Sequence, residues 1–422
     1  MLISANEVTP GDLRKFPLLE RRSSLTQNQR MNSDDLVTLF AQTNARNDRR
    51  VFGIRQRDRR AHMYILGKTG TGKSTLLQTL ITQDIRNGAG LAVLDPHGDL
   101  VERIWADVPV PKRQGFMYFN VPDATNPLSF NPFDSVPQER RPFVAGSLLD
   151  AFKKMWAEFW GTRLEHILRN ALLALLDQPN ATLSDILPLL DDDDFRRTAM
   201  THVTNSQVRR FWLHEWEAYP PRYRTDAAAP ILNKVGAFLA DPLLNRILTQ
   251  PRSDLNMRRM MDEGKVLLVN LAKGKIGEDS AGLLGSLLVA HIGSAGLSRA
   301  DIPEEQRRDF HVYLDEFQTF TTQSLAAMLS ELRKYRVNLI LANQYLSQID
   351  LHIRDAILGN VGTLITFRVG PLDATFLVKE FAPKLDALDL MNLPNYDIYV
   401  RLMIDGMVSQ PFSATTLRDI PH

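Results

Sequence analysis

The sequence predicts an α/β protein, a doubly wound and mainly parallel sheet whose chain is interrupted by an all-α insertion. Three observations carry that reading. From residue 63 onward short β-type runs alternate with helical stretches. Several of these runs are apolar without a break, as parallel strands covered on both faces require. Between about 138 and 260 the alternation stops and only helical patterning remains.

Residues 1–50 carry scattered polar and charged positions with short apolar pieces, and they are expected to form an N-terminal extension. Seven arginines lie between positions 46 and 60: Arg46, Arg49, Arg50, Arg55, Arg57, Arg59 and Arg60. A solvated basic strand face and a contact to a nucleotide edge or to nucleic acid both fit them. The first part of the α/β core, 51–137, holds the strand candidates Met63–Leu66, Leu91–Leu94 and Phe116–Phe119. The insertion, 138–260, includes LLDAFKKMWAEFWGTRLEHILRNALLALL, and its Met155, Trp156, Phe159 and Trp160 fall at helical spacing and read as core. Asp191–Asp194 reads as a solvated helix start before Phe195. The second part, 261–422, adds Val266–Leu271, Val312–Leu314, Leu339–Leu341, Thr363–Phe367 and Ile398–Leu402. Ala281–Leu297 is the most apolar stretch, but Ser286, His291 and Ser294 interrupt it, so a buried helix is expected rather than a bilayer span.

Lys and Arg number 50 against 49 Asp and Glu, a net charge of +1, so no global field draws the chain to nucleic acid. Any such attraction has to come from local patches. The absence of cysteine excludes disulfides and thiolate metal sites and fits a reducing compartment. The N-terminus MLISANEVTPGDLRKF has no basic flank followed by a long apolar core, so no signal peptide is read there. A soluble, cytoplasmic protein is expected.

Residues 67–74 read Gly67, Lys68, Thr69, Gly70, Thr71, Gly72, Lys73 and Ser74, directly after the run Met63–Leu66. A Gly-x-x-x-x-Gly-Lys-Ser loop between a strand and a helix is built to cradle phosphates with its backbone N–H groups. Lys73 is placed to reach the β- and γ-phosphates of ATP, and the Ser74 hydroxyl to ligate Mg²⁺. From Thr75 to Ile85 a helix is expected, its N-terminus aimed at the triphosphate. VYLDEF (312–317) is a strand ending in Asp315 and Glu316, at the sheet edge that carries the phosphate loop. Asp315 is a candidate Mg²⁺ ligand and Glu316 a candidate base for the attacking water. LAVLDPHGDL sets Asp95, His97 and Asp99 on a turn lining the nucleotide or DNA side. LANQYLSQI ends another strand with Asn343 and Gln344, an amide placed to sense the γ-phosphate or the attacking water. Upstream, SELRKYR puts Arg333, Lys334 and Arg336 on a helix feeding that strand. There Arg333 is expected to reach the sheet edge and serve a neighbouring subunit's ATP; a plain basic helix end fits the pattern too.

In this order, GKTGTGKST, LAVLDPHGDL, VYLDEFQTF, ELRKYRVNLILANQYLSQI and TFRVGPLDA resemble the HerA/FtsK superfamily of ring-forming DNA-pumping ATPases. Within it they look like the type IV secretion coupling proteins of the TraG/TraD kind, over roughly residues 50–415. The resemblance implies a RecA-like P-loop NTPase core, a homo-hexamer with ATP at subunit interfaces, and DNA drawn through a central channel. It also implies that Lys73 and Ser74 bind phosphate and Mg²⁺ and that Asp315 and Glu316 form the acidic pair. Gln344 then takes the sensor position and Arg333 that of an arginine finger. Coupling proteins commonly begin with transmembrane helices, which this sequence lacks, so a separate membrane-anchor subunit or work away from the membrane is expected. His422 soon after the last strand leaves little room for a substrate-recruiting tail.

The leading functional expectation is an ATP-driven DNA translocase of the conjugation type, gripping DNA through its phosphates without sequence preference and meeting a relaxase partner. One alternative is a HerA-like motor working with a nuclease in end processing or defence. Another is a nucleotide-gated scaffold with negligible turnover, against which the intact Asp315–Glu316 pair weighs.

Overall fold

The computed structural model describes residues 33–44, 49–125 and 127–418. Thirteen strands are β1 (Val37–Thr43), β2 (Val51–Arg55), β3 (Met63–Leu66), β4 (Gly90–Asp95), β5 (Phe116–Asn120), β6 (Val266–Asn270), β7 (Phe310–Leu314), β8 (Val337–Asn343), β9 (Thr363–Thr366), β10 (Asp397–Arg401), β11 (Met403–Ile404), β12 (Met407–Val408) and β13 (Phe412–Thr416). Eleven of them form one sheet in the order β2-β1-β13-β10-β9-β3-β8-β7-β4-β6-β5, while β11 and β12 make a separate hairpin. The seven strands from β9 to β5 run parallel, and β10, β13, β1 and β2 extend the sheet antiparallel. All eight strands expected from the sequence lie in this sheet.

Strand residues alternate between two apolar clusters, which is why the parallel runs are apolar throughout. Met63, Ile65, Leu91, Val93, Ile340 and Ala342 point to one face. There they meet Leu76, Leu77, Leu80 and Ile81 of helix α1 (Lys73–Arg86) and Leu100, Val101 and Ile104 of α2 (Asp99–Asp107). Tyr64, Leu66, Leu94, Leu314, Leu339 and Leu341 point to the other face. That face is covered by a helical stretch between β5 and β6 that includes α3 (Arg141–Met155), α4 (Thr162–Leu176) and α5 (Pro221–Leu239). Helix α6 (Glu278–Ser298) joins them, packed against α3, with α7 (Gln323–Glu331) beside both. The helical stretch therefore shares one continuous core with the sheet. Among the described residues α6 is the one helix long and apolar enough to cross a membrane, and 78% of its apolar window is buried inside the fold.

Three expectations are corrected. Residues 37–43 do not lie outside the core: they form β1, hydrogen-bonded between β2 and β13. Its buried and half-buried positions alternate, as in a strand with one covered face, and so it lacks the continuous apolar run of the inner strands. The basic run is split: Arg49, Arg50 and Arg57 are exposed, as a solvated face requires, whereas the others described turn inward or pair with acids. Arg59 is buried and bonds Asp84 at 2.6 and 2.9 Å and Tyr313 at 2.7 Å, while Arg60 pairs with Asp309 at 2.8 Å and with Asp34, and Arg55 and Arg57 both pair with Asp405. Arg46 lies outside the described residues. Of the aromatic group in the insertion, Trp156 is buried against Phe152, but Phe159 is 61% exposed, with the Lys234 ammonium 4.1 Å from its ring centre. Asp192 caps the following helix by accepting from the backbone N–H groups of Asp194 and Phe195.

Two histidines are buried at the amino edge of the sheet. His62 Nδ1 accepts from Leu339 N at 3.0 Å, and Nε2 donates to Leu329 O at 3.0 Å. Burial lowers His62 and His311 to about 4. The unfolded chain therefore takes up protons between pH 6.5 and 4 that the folded chain refuses, and stability falls as pH falls through that window. Each histidine contributes about 1.4 kcal/mol per pH unit to this slope. Buried carboxylates titrate nearby with either sign, so the check is the difference from His62→Gln in denaturant melts at several pH values. The variant is expected to lose one histidine's share of the slope; equal slopes would mean that His62 protonates inside the fold.

Candidate active site

Strand register brings the phosphate loop and the acidic residues together. Leu66 at the end of β3 is level with Asn343 of β8, Leu341 of β8 with Leu314 of β7, and Leu314 with Leu94 of β4. The residues that follow, Gly67, Gln344, Asp315 and Asp95, therefore emerge side by side at the carboxyl edge. They open on a cleft of about 630 Å³ lined by Thr69, Gly70, Gly72, Lys73, Ser74, Thr75, Asp315, Glu316 and Gln344, together with Asp95, His97 and Asp99. Gly67, Lys68 and Thr71 brace the loop from behind: Lys68 N donates to Arg368 O at 3.0 Å, and Thr71 Oγ1 donates to Lys68 O at 2.7 Å.

Local backbone demands account for the glycines. Gly70 and Gly72 adopt φ of 76° and 121°, and a Cβ on Gly72 would stand 2.9 Å from the Tyr396 ring. Helix α1 starts at once at Lys73, so its free N–H groups face the cleft. Lys73 Nζ is buried and donates to Gly67 O at 2.5 Å and Lys68 O at 3.3 Å. Burial lowers its pKa, while Glu316 and Asp315 pull it back up.

Asp315 is buried, and burial together with the neighbouring Asp95 and Glu316 raises it to about 7 against the opposing charge of Lys73. Asp95 is already committed: its carboxylate accepts from the backbone N–H groups of His97, Leu100 and Val101 at 2.9, 2.8 and 3.2 Å and so caps α2. A site with three clustered carboxyl groups and one lysine suits a divalent cation. Asp315 and the Ser74 hydroxyl are the side chains that would hold Mg²⁺ if it bound here, an ion suited to oxygen ligands. Among the described residues no group of three acidic or imidazole side chains forms a metal cage by itself.

Glu316 sits in the left-handed region, φ 44° and ψ 49°, a conformation that costs a non-glycine residue about 1–2 kcal/mol. Its carboxylate is held from two sides: Gln344 Nε2 donates to Oε1 at 2.9 Å, and Gln318 Nε2 donates to Oε2 at 2.7 Å. Gln344 Oε1 accepts in turn from Thr69 Oγ1 of the phosphate loop at 2.8 Å. The amide thus bridges the glycine-rich loop and the Glu316 carboxylate.

Arg333 does not join this cleft. It lies on the turn Leu332–Tyr335 that precedes β8, at the amino edge, and is exposed. The seven residues of β8 put roughly 23 Å between that edge and Gln344. The expectation that its side chain reaches the phosphate edge of its own chain is therefore wrong, because a residue before a strand and one after it sit at opposite edges. Its neighbours are Arg57, Asp58, Met403, Asp405 and Gly406, around a second cleft of about 300 Å³.

The sequence reading passed over Gln78, Arg103 and Tyr396, which also line the nucleotide-edge cleft. Gln78 and Arg103 each fall four residues after an identified position, Ser74 and Asp99, and so share its helix face; that signal was available. Tyr396 had none. It arrives from the β10 side of the sheet, donating its N–H to Thr71 O at 2.7 Å, with the Arg418 guanidinium 4.0 Å from its ring centre.

Residues 55–143 match a family profile described as the central domain of the helicase HerA, and residues 309–384 one described as the TraM recognition site of TraD and TraG. No curated protein matches the chain in sequence. Among solved structures, the plasmid coupling protein TrwB in complex with ADP and Mg²⁺ superposes with a TM-score of 0.62 at 16% identity, over 87% of this chain and 88% of that one. TrwB with the non-hydrolysable ATP analogue ADPNP gives 0.62 at 16%, over 86% of each chain. VirB4 of Thermoanaerobacter pseudethanolicus gives 0.59 at 14%, over 91% and 97%. At these identities the structural likeness is one of fold. Sheet, phosphate loop and acidic edge define a P-loop nucleotide-binding protein. The two profile matches cover the loop on one side and the acidic pair with its neighbouring strand on the other. Over these two segments the chain is similar to the HerA/FtsK superfamily of P-loop ATPases and, within it, to the coupling proteins of the TraG/TraD kind.

Proposed function

We propose that the chain is an ATP-hydrolysing DNA translocase of the coupling-protein kind, working as a ring of identical subunits in type IV secretion. The observation that carries this is the convergence of Lys73, Ser74, Asp315, Glu316 and Gln344 from three neighbouring strands into one cleft. Lys73 and the N–H groups at the start of α1 bind the phosphates, and Ser74 and Asp315 hold Mg²⁺. The metal, when bound, neutralises charge on the β- and γ-phosphates. Glu316 orients and deprotonates the attacking water, and Gln344 ties its position to the state of the phosphate loop. That TrwB, of the same fold, has been obtained with ADP and Mg²⁺ supports the nucleotide assignment.

Arg333 cannot serve its own cleft, which leaves a neighbouring subunit's nucleotide as the target that suits an exposed guanidinium. DNA would be gripped through its phosphates by local basic groups, since the net charge is only +1. The match at 55–143 also favours a second reading, a HerA-type motor acting with a nuclease, which shares the same chemistry and differs in partner.

The test is ATP turnover with and without DNA, with binding of several duplexes and single strands at several salt concentrations. Turnover is expected to rise with DNA, and affinity to fall steeply with salt while varying little with sequence. Turnover indifferent to DNA, or affinity insensitive to salt, would contradict a backbone-gripping motor.

A further inference from the structure

Beyond the phosphate loop and the acidic pair, the segment that follows Glu316 is strapped to the helical stretch. Lys154, in the last turn of α3, donates from Nζ to the backbone carbonyls of Gln318 at 2.6 Å and Thr319 at 2.7 Å. One turn earlier on the same helix, Asp150 Oδ2 accepts from Ser324 N at 3.1 Å. The middle of the turn between β7 and α7 and the first turn of α7 are thus both held by one helix. Lys154 has an exposed surface, yet its ammonium has no carboxylate partner among the described residues, and its surroundings lower its pKa to about 8. It is a cation held by two carbonyls alone.

Gln318 is the middle link. Its Nε2 holds Glu316 Oε2 at 2.7 Å, while its buried Oε1 has no partner among the described residues. Nothing else on the amide fixes it, so the position of the amide depends on Glu316 at one end and on the gripped backbone at the other. Beside it lies a polar cleft of about 310 Å³ between α3, α6 and this turn, which leaves the turn room to shift.

We infer that Gln318 is a positioning residue for Glu316, and that Lys154 sets it, so that the placement of α3 governs the orientation of the carboxylate. The inference rests on the hydrolytic reading above. A carboxylate that must meet a water in line with the γ-phosphate is sensitive to small misplacement. A helix that carries the turn next to that carboxylate can therefore gate turnover without touching nucleotide. Movement of the helical stretch, as on engaging DNA, would reach the cleft by this route.

The experiment measures kcat, KM and ADP affinity for the full chain and for Gln318→Ala, Lys154→Met, Lys154→Arg and the double variant Gln318→Ala/Lys154→Met. Gln318→Ala is expected to lower kcat about tenfold with KM and ADP affinity nearly unchanged. Lys154→Met should lower kcat in the same way, and Lys154→Arg, which can still donate to two carbonyls, should restore most of it. The double variant should be no slower than the slower single variant, since both changes cut one chain of contacts. An unchanged kcat in Gln318→Ala, or penalties that multiply in the double variant, would overturn the inference. If the unaltered chain binds ATP and does not hydrolyse it, the hydrolytic reading fails first, and this inference falls with it.

Discussion

Replacing Glu316 by Gln is expected to leave nucleotide bound and to slow its hydrolysis by about two to four orders of magnitude. The amide keeps the size of the side chain; its oxygen can still accept from Gln344, and its NH2 can donate to the Gln318 oxygen once that amide turns over, so the cleft keeps its shape. What it loses is the ability to accept a proton from water. Two amides already donate to the carboxylate, which fixes its direction while leaving lone pairs for water. Lys73→Ala should fail earlier in the cycle. Removing the buried ammonium leaves the phosphates without their fixed counter-charge, next to Asp315 and Glu316, and nucleotide affinity should collapse. The two phenotypes separate by equilibrium binding and single-turnover hydrolysis. Near-normal turnover in Glu316→Gln would take Glu316 out of the base role.

Arg333→Ala is expected to lower turnover by about three orders of magnitude or more while leaving ATP affinity nearly intact. The argument is positional. Arg333 stands at the amino edge, a strand's length from its own phosphate loop, and its guanidinium makes no hydrogen bond or ion pair among the described residues, though its charge helps to lower the pKa of His62. Arg336, Arg354 and Arg368, the other arginines on the strands and helices around β8 and β9, are each engaged in their own chain. Arg336 donates to Arg307 O at 3.2 Å, the Arg354 guanidinium lies 4.1 Å from the Phe376 ring centre, and Arg368 donates to Leu393 O at 3.0 Å and Asn395 Oδ1 at 2.9 Å. A free, planar, permanently charged donor suits charge developing on a neighbour's γ-phosphate. Hydrolysis then depends on assembly, and specific activity should rise with protein concentration. Mixing Arg333→Ala with Glu316→Gln should recover part of the activity, because one interface can pair an intact Arg333 with an intact Glu316. A mixture that stays inactive while both variants co-assemble would exclude the trans role.

The sequence by itself determined the α/β class and the inner strands, for a local reason. A parallel strand buried on both faces has to be apolar at every position, and runs such as Leu91–Leu94 and Leu339–Leu341 announce themselves. The phosphate loop was equally legible, because glycines at positive φ, the lysine and the serine are needed within eight consecutive residues. The acidic pair follows a strand, and a strand's end is marked where apolar residues give way to charge.

Tertiary structure decided what depends on distant partners. Strands β1 and β13 alternate buried and half-buried residues, and only their pairing across nearly the whole chain makes them sheet. Which arginines of the basic run before β3 face outward was settled by distant acids: Asp84, Asp309 and Asp405 pair with Arg59, Arg60 and Arg55, while Arg49 and Arg50 stay exposed. Arg333 and Gln344 are close in sequence yet lie at opposite edges, because the strand between them crosses the sheet. Gln318 and Lys154, far apart in sequence, meet because α3 packs over the turn after β7. Spacing along a chain gives which face a residue shares with its near neighbours. Which edge it occupies, and what stands opposite, is settled only when the sheet closes.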